Sequence, residues 1–157
     1  MASEKLQVAR AIDVNPADGV KVPNPAKRIS SGQTTNGAAN KLIDSNANFT
    51  NGTYTQGDII YNTTDGTAAE IVAIDSTTQL SISDNIFSVS PRDYVIYEGD
   101  YEGGCVLYVG VGGNVRVVTV GGDDVTFQNL NNGQFVPVHI REVYDTGTTS
   151  LGLIAMW

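Results

Sequence analysis

Nowhere in this chain do apolar residues recur every three to four positions for as long as three helical turns. β-Branched and aromatic residues come instead in short runs, each closed off by glycine, asparagine, aspartate or serine. That pattern excludes a helical bundle and predicts an all-β protein of short strands joined by tight turns. Between residues 41 and 102 the runs read KLID, GDIIYN, AAEIVAID, QLSIS and DYVIYEG, and the breaks NGTYTQG, TTDGT, DSTT and SVSPR carry the residues that reversals need. In AAEIVAID, Ala69, Ile71 and Ala73 share one face and Glu70, Val72 and Ile74 the other, so the second face is not cleanly polar. Such strands, short and mixed in their faces, predict a small β-barrel-like module.

From 103 to 157 a second series follows: GCVLYVG, NVRVVTV, DVTFQN, FVPVHIREVY and LGLIAMW. The connectors VGG, GGD, LNNG and DTGTTS are short enough for hairpins, which predicts successive strands as antiparallel neighbours in a small β-sandwich or sheet. Val136, Val138 and Ile140 share one face of their strand while His139 and Arg141 share the other, a period of two with one side in the core. LGLIAMW reads as the closing strand. Covering a tryptophan removes about 150 to 250 Å² from water, worth roughly 4 to 6 kcal/mol at about 25 cal/mol per Å². Trp157 is therefore expected to be buried, against this module's own core or at a contact between copies. Modules of about 60 residues bury only a modest share of their surface, so each needs support from the other or from further copies.

Residues 1–40 differ in kind. They hold Pro16, Pro23 and Pro25 and the polar run SSGQTTNGAAN, and they read as an extended arm and linker that needs a partner surface to be ordered. The arm is also basic. Over residues 1–41, Lys5, Arg10, Lys21, Lys27, Arg28 and Lys41 face only Glu4, Asp13 and Asp18, whereas the whole chain carries a formal charge of −8. A basic arm before an acidic body suits an arm that lies on an acidic surface, and the overall charge argues against nucleic acid as a partner. Lys5, Arg10, Lys21, Lys27 and Arg28 are the candidate contacts on the arm, and Leu151, Leu153, Met156 and Trp157 those on the closing strand.

The residues that carry chemistry are scarce. Cys105 is the one cysteine, so no disulfide forms within the chain, and its apolar strand marks it as a buried structural thiol. His139 is the one histidine, and it lies mid-strand beside no nucleophile motif. One Cys and one His cannot close a structural zinc site. The glycines of GVGGNVRVV are followed by a strand rather than the helix that phosphate loops require, so the stretch reads as a hairpin. Asp93, Glu98, Asp100, Glu102, Asp123 and Asp124 match no calcium loop and read as a solvated acidic rim. The triplets at Asn48, Asn51 and Asn62 fall in a region simply rich in Asn and Thr, no secretion signal is expected, and no stretch approaches the roughly 20 apolar residues of a membrane span. No catalytic residue, metal or cofactor is expected; binding and assembly are.

Four features of the C-terminal third occur in order: the C..LYVG strand, the G.V.V.T.GG..VTF.N hairpin, the G...PV.I..V..TGTT segment, and a short apolar strand ending in Trp. In them the chain resembles the spike-base family of tailed-phage and gene-transfer-agent structural proteins. Separately, GD.I.N..DGT.A.I..ID....L..S in the middle module resembles a small β module of phage virion proteins. The resemblance implies a structural virion protein at the capsid surface, made in the host cytoplasm, that forms a homo-oligomer (trimer or pentamer). Its implied partners are the major capsid protein or other virion proteins, and a fibre protein seated on the base. It supplies no catalytic residues, and the long arm and the middle module depart from it. Capsid decoration, cementing or a head-spike base is the expected role, with a neck, tail or baseplate component as the alternative. From another class, a carbohydrate-binding β module would use Tyr94, Tyr97, Tyr101 and Tyr108 as stacking faces.

Overall fold

A computed structural model describes residues 8–157, so Lys5 lies outside the described residues. The protein is nearly all β, with two antiparallel sheets of six strands each. In chain order the strands are β1 (Ala11–Asp13), β2 (Arg28–Gln33), β3 (Lys41–Ile43), β4 (Ile59–Asn62), β5 (Thr67–Ser76), β6 (Gln79–Ile82), β7 (Asp93–Tyr97), β8 (Cys105–Val111), β9 (Gly113–Thr119), β10 (Asp124–Leu130), β11 (Gln134–Val143) and β12 (Leu151–Met156). One sheet runs β2-β7-β4-β5-β6-β3 and the other β1-β12-β8-β11-β9-β10.

The first sheet curls around a core of Leu42, Phe49, Ile60, Ala69, Ile71, Leu80, Ile82, Phe87 and Ile96. It does not close. Its edge strands β2 and β3 do not pair; the chain just after β2 reaches β3 at the isolated bridge between Asn36 and Ile43, so the barrel-like module expected from the sequence is an open sheet. The turns obey the expected chemistry. After β4, the Asn62 side-chain oxygen accepts from the amides of Thr64 and Asp65, and Gly66 takes φ +71°, a conformation that glycine adopts without a Cβ penalty.

In the second sheet the core is Cys105, Leu107 and Val109 of β8, Val115 and Val117 of β9, Val136, Ile140 and Val143 of β11, and Leu153 and Ala155 of β12, joined by Val14 and Val22. The hairpin expectation holds at β9–β10 but fails at β8–β9, β10–β11 and β11–β12, none of which pair. The chain turns a corner at Gly112 and Gly113 instead, and β11, ten residues long, pairs with β8 through its first half and with β9 through its second. Bulges between Val136 and Ile140 and between Ile140 and Glu142 let one strand serve both neighbours, because each extra residue bends the strand.

Residues 8–40 run mostly extended, interrupted by a short 3-10 turn at Pro25–Lys27, and the surface that orders them is the chain itself. β1 pairs with β12, and β2 pairs with β7, so the 1–40 segment contributes an edge strand to each sheet. Between them, Ala17 and Val20 lie against the outer face of the first sheet, on Ile59, Tyr61, Ala68 and Tyr97, while Ile12 packs against this cluster and the second core alike. Asn15 fixes the crossing by donating from Nδ2 to the Thr67 carbonyl at 3.1 Å. The burial of β4 on both faces follows, since one face meets the sheet's own core and the other this segment. Tyr61 and Tyr97 meet edge to face at 5.7 Å beneath it, an arrangement worth about 0.5 to 1.5 kcal/mol beyond the area buried.

Gly99, just after β7, is the tightest point of this junction. Its amide donates to Asp58 Oδ1 at 3.1 Å, its carbonyl accepts from Lys21 Nζ at 3.2 Å, and a Cβ there would collide with the carbonyl group of Gly57. The obstacle is backbone, which no rotamer change can relieve. Gly99→Ala is therefore expected to cost about 3 kcal/mol. Gly121→Ala, where a Cβ meets only ordinary contacts at 3.5 Å and beyond, should fall within about 0.5 kcal/mol of the wild type. Urea denaturation of both variants checks the contrast; equal midpoints would contradict it.

Candidate functional site

The outer face of the second sheet is built by alternation. In β12, Leu153 and Ala155 point into the core, which sends Ile154 and Met156 outward; in β8 the inward Cys105, Leu107 and Val109 send Val106 and Tyr108 outward; in β11 inward Val136 sends Phe135 outward. Register places these side chains side by side. Ile154 stands opposite Tyr108, Tyr108 opposite Phe135, and Met156 opposite Val106. Tyr108 and Phe135 pack edge to face at 5.4 Å, and Phe135 is still 50% exposed. The result is an apolar stripe across three adjacent strands, partly exposed at Tyr108, Phe135, Ile154 and Met156 and closed over only at Val106, which is 8% exposed. Leu151 and Val111, 66% and 51% exposed, pair at the far end of the same strands, but they share the inward parity of Leu153 and Val109 and so lie at the rim of the core-facing side rather than on the outer face.

Of the four residues expected on the closing strand, Leu151 is exposed at the strand's end on the inward parity, and Met156 borders this stripe. Leu153 does not: it is 3% exposed and belongs to the core, because it shares the inward parity of Ala155. Trp157 lies just beyond β12, partly buried against the core of its own sheet, and its backbone is tied to β1 by donating to the Arg10 carbonyl at 2.9 Å and accepting from Arg10 N at 3.1 Å. Phe135 is no candidate from the sequence, and Tyr108 is one there only as a stacking face for carbohydrate. The available signal was GCVLYVG, apolar at both parities, which marks a strand with something to cover on each side.

The basic residues meet partners within the chain. Lys21 Nζ lies 2.6 Å from Glu102 Oε1, and Lys27 Nζ 2.9 Å from Glu98 Oε2. The hydrogen bond from Lys21 holds the Glu102 carboxyl below the usual glutamate range, and the one to Glu98 raises Lys27. Arg28 donates to Ser31 Oγ at 2.6 Å, and Arg10 is exposed beside the end of β12. The acidic surface on which the arm's lysines lie is thus the chain's own Glu98–Glu102 stretch.

The chemistry-bearing residues stay apart. Burial pushes the Cys105 thiol up to about 12, and its Sγ donates to the Ile140 carbonyl, which suits a packed side chain and not a nucleophile. His139 is exposed on β11. Among the described residues no three of His, Cys, Asp and Glu come together as a metal would require. Tyr94 and Tyr97 are buried in the first sheet and so offer no stacking face, which corrects their assignment to a carbohydrate surface. Among the described residues no helix is long and apolar enough to cross a membrane. No family model matches the chain, and no curated protein or solved structure is similar to it at a significant level.

Proposed function

We propose that this chain is a structural virion protein of a tailed phage, a capsid decoration or cement protein or the base of a head spike. It acts by binding the capsid surface and associating symmetrically with its own copies. The observation that carries the reading is the apolar stripe of Tyr108, Phe135, Ile154 and Met156 on the outer face of β12, β8 and β11. Patches of this kind on a small β protein mark an interaction surface, because each uncovered side chain of this size gives up about 1.5 to 3 kcal/mol of burial. The stripe lies within the third of the chain that resembles the spike-base proteins. The same strands that would pair copies also hold β1, so the arm is positioned by the assembly module rather than by a foreign surface.

Reconstruction of the particle whose genome encodes the chain tests the reading. The expected result is density for the two-sheet body at symmetric positions on the capsid, with the outer face of β12, β8 and β11 against another copy. Density confined to the neck, tail or baseplate would replace capsid decoration by the alternative role. Absence of the chain from purified particles would overturn the proposal.

A further inference from the structure

The open seam of the first sheet encloses a cleft. One wall is the free edge of β2, and the other is the loop from Asp44 to Asn48 that leaves β3. One end is shut where Thr35 N donates to the Ile43 carbonyl and Ser45 N donates to Thr35 Oγ1, each at 2.9 Å. The other end is shut where the Tyr54 hydroxyl meets Ser30 Oγ at 3.0 Å. The cleft measures about 400 Å³, inside the range of about 300 to 1,000 Å³ typical of small-molecule sites.

Its floor is a built polar pair. The Tyr94 hydroxyl donates to Asp44 Oδ2 at 2.8 Å, both residues are under 5% exposed, and Asp44 Oδ1 accepts from Asn46 N at 2.9 Å. Gly32 stands directly opposite Tyr94, and a Cβ there would come within 2.5 Å of the Tyr94 hydroxyl and 2.8 Å of Asp44 Oδ2. Only a bare backbone at this position leaves room for the pair. The rim is made of exposed amides and hydroxyls: Ser31, Gln33, Asn46 and Asn48. Gln33 donates through Nε2 to Asp93, which leaves its carbonyl oxygen; the Asn48 oxygen accepts from Thr50, which leaves its amino group. Donors and acceptors thus alternate around the opening, with the Tyr54 ring beside them.

The lining selects its ligand by what it contains. No lysine or arginine lines the cleft itself; Arg28 reaches its rim only through Ser31 Oγ at 2.6 Å, and one guanidinium set against the Asp44 carboxylate of the floor does not make a site for a phosphate, sulfate or carboxylate. One carboxylate among neutral amides is too few for a divalent cation, which gathers six or more oxygens. A strand of another chain does not fit, because the seam from Ser30 to Thr35 is only about 16 Å long at 3.3 Å per residue and both ends are closed. A neutral molecule rich in hydroxyl groups satisfies the amides in both directions and sets an apolar ring face against tyrosine. We infer that the cleft between β2 and the Asp44–Asn48 loop binds a neutral saccharide, gripped by Gln33, Asn46 and Asn48 and flanked by Tyr54. This lies on the other sheet from the assembly stripe and does not depend on it.

The test uses the full chain and defined probes. Neutral mono- to tetrasaccharides of glucose, galactose, mannose and N-acetylglucosamine are titrated by calorimetry and by saturation-transfer NMR, beside sialylated and sulfated glycans and an unstructured peptide. Saturable binding of at least one neutral saccharide is expected. Asn48→Ala and Gln33→Ala, exposed changes that leave the core intact, should each weaken it about tenfold, one hydrogen bond's net contribution, at unchanged melting temperature. Tyr54→Ala should weaken it further. No neutral saccharide bound at about 10 mM, binding indifferent to both amide variants, or binding confined to the anionic glycans or the peptide would each overturn the inference.

Discussion

Deleting Ile154 to Trp157 is expected to abolish folding. β12 is no edge strand: it lies between β1 and β8, and the deletion removes the pairing of Ile154, Ala155 and Met156 with Tyr108, Leu107 and Val106 on one side and with β1 on the other. Ala155 is fully buried, and Trp157 covers part of the same core. Losing strand pairing on both sides together with this burial costs several kcal/mol, and a small domain holds only about 5 to 15. The damage also spreads. Ile12 packs against both cores and is placed by its pairing with Ala155, so the crossing segment that covers Ile59, Tyr61 and Tyr97 loses its anchor. The truncated chain should give no cooperative urea transition by circular dichroism, whereas Leu151→Ala, at the exposed end of the strand, should stay within about 0.5 kcal/mol of the wild type. A truncated chain that unfolds cooperatively near the full-length midpoint would contradict this architecture.

Much of the fold was written locally and the rest was not. Each run read as a strand between residues 41 and 157 is one, because alternation and turn residues act over a few positions. β1 and β2 left no such trace. Ala11–Asp13 is too short to show a period, and RISSGQ is a polar edge strand whose partner β7 lies 60 residues away in sequence at the Gln33–Asp93 contact. Closure was also out of reach, since whether β2 and β3 meet depends on twist summed over a whole sheet and not on either strand. In the candidate site the parity of LGLIAMW was readable but its phase was not. Leu153 and Ile154 are equally apolar, and only the corner at Gly112 and Gly113, together with the pairing to β8, decides which of them faces the core. The basic arm misled for a related reason: composition records that Lys21 and Lys27 are cations in an acidic chain, not that Glu102 and Glu98 already stand within 3 Å of them.

Self-association through the outer face of β12, β8 and β11 is where sequence, packing and proposed role converge, and it sets the second large effect. A charge placed in the middle of an apolar contact must be desolvated without a partner, at a cost of several kcal/mol per contact that a symmetric ring incurs at every interface. Phe135→Asp changes a residue of that face that is already half exposed, so the fold should hold while assembly is lost. Sedimentation velocity of the full chain and of the Phe135→Asp variant, with melting curves on both, is the direct measurement. The expected result is a discrete trimer or pentamer for the wild type and a monomer of unchanged melting profile for the variant. A wild type that stays monomeric across the concentration range, or a variant that assembles as before, would contradict it.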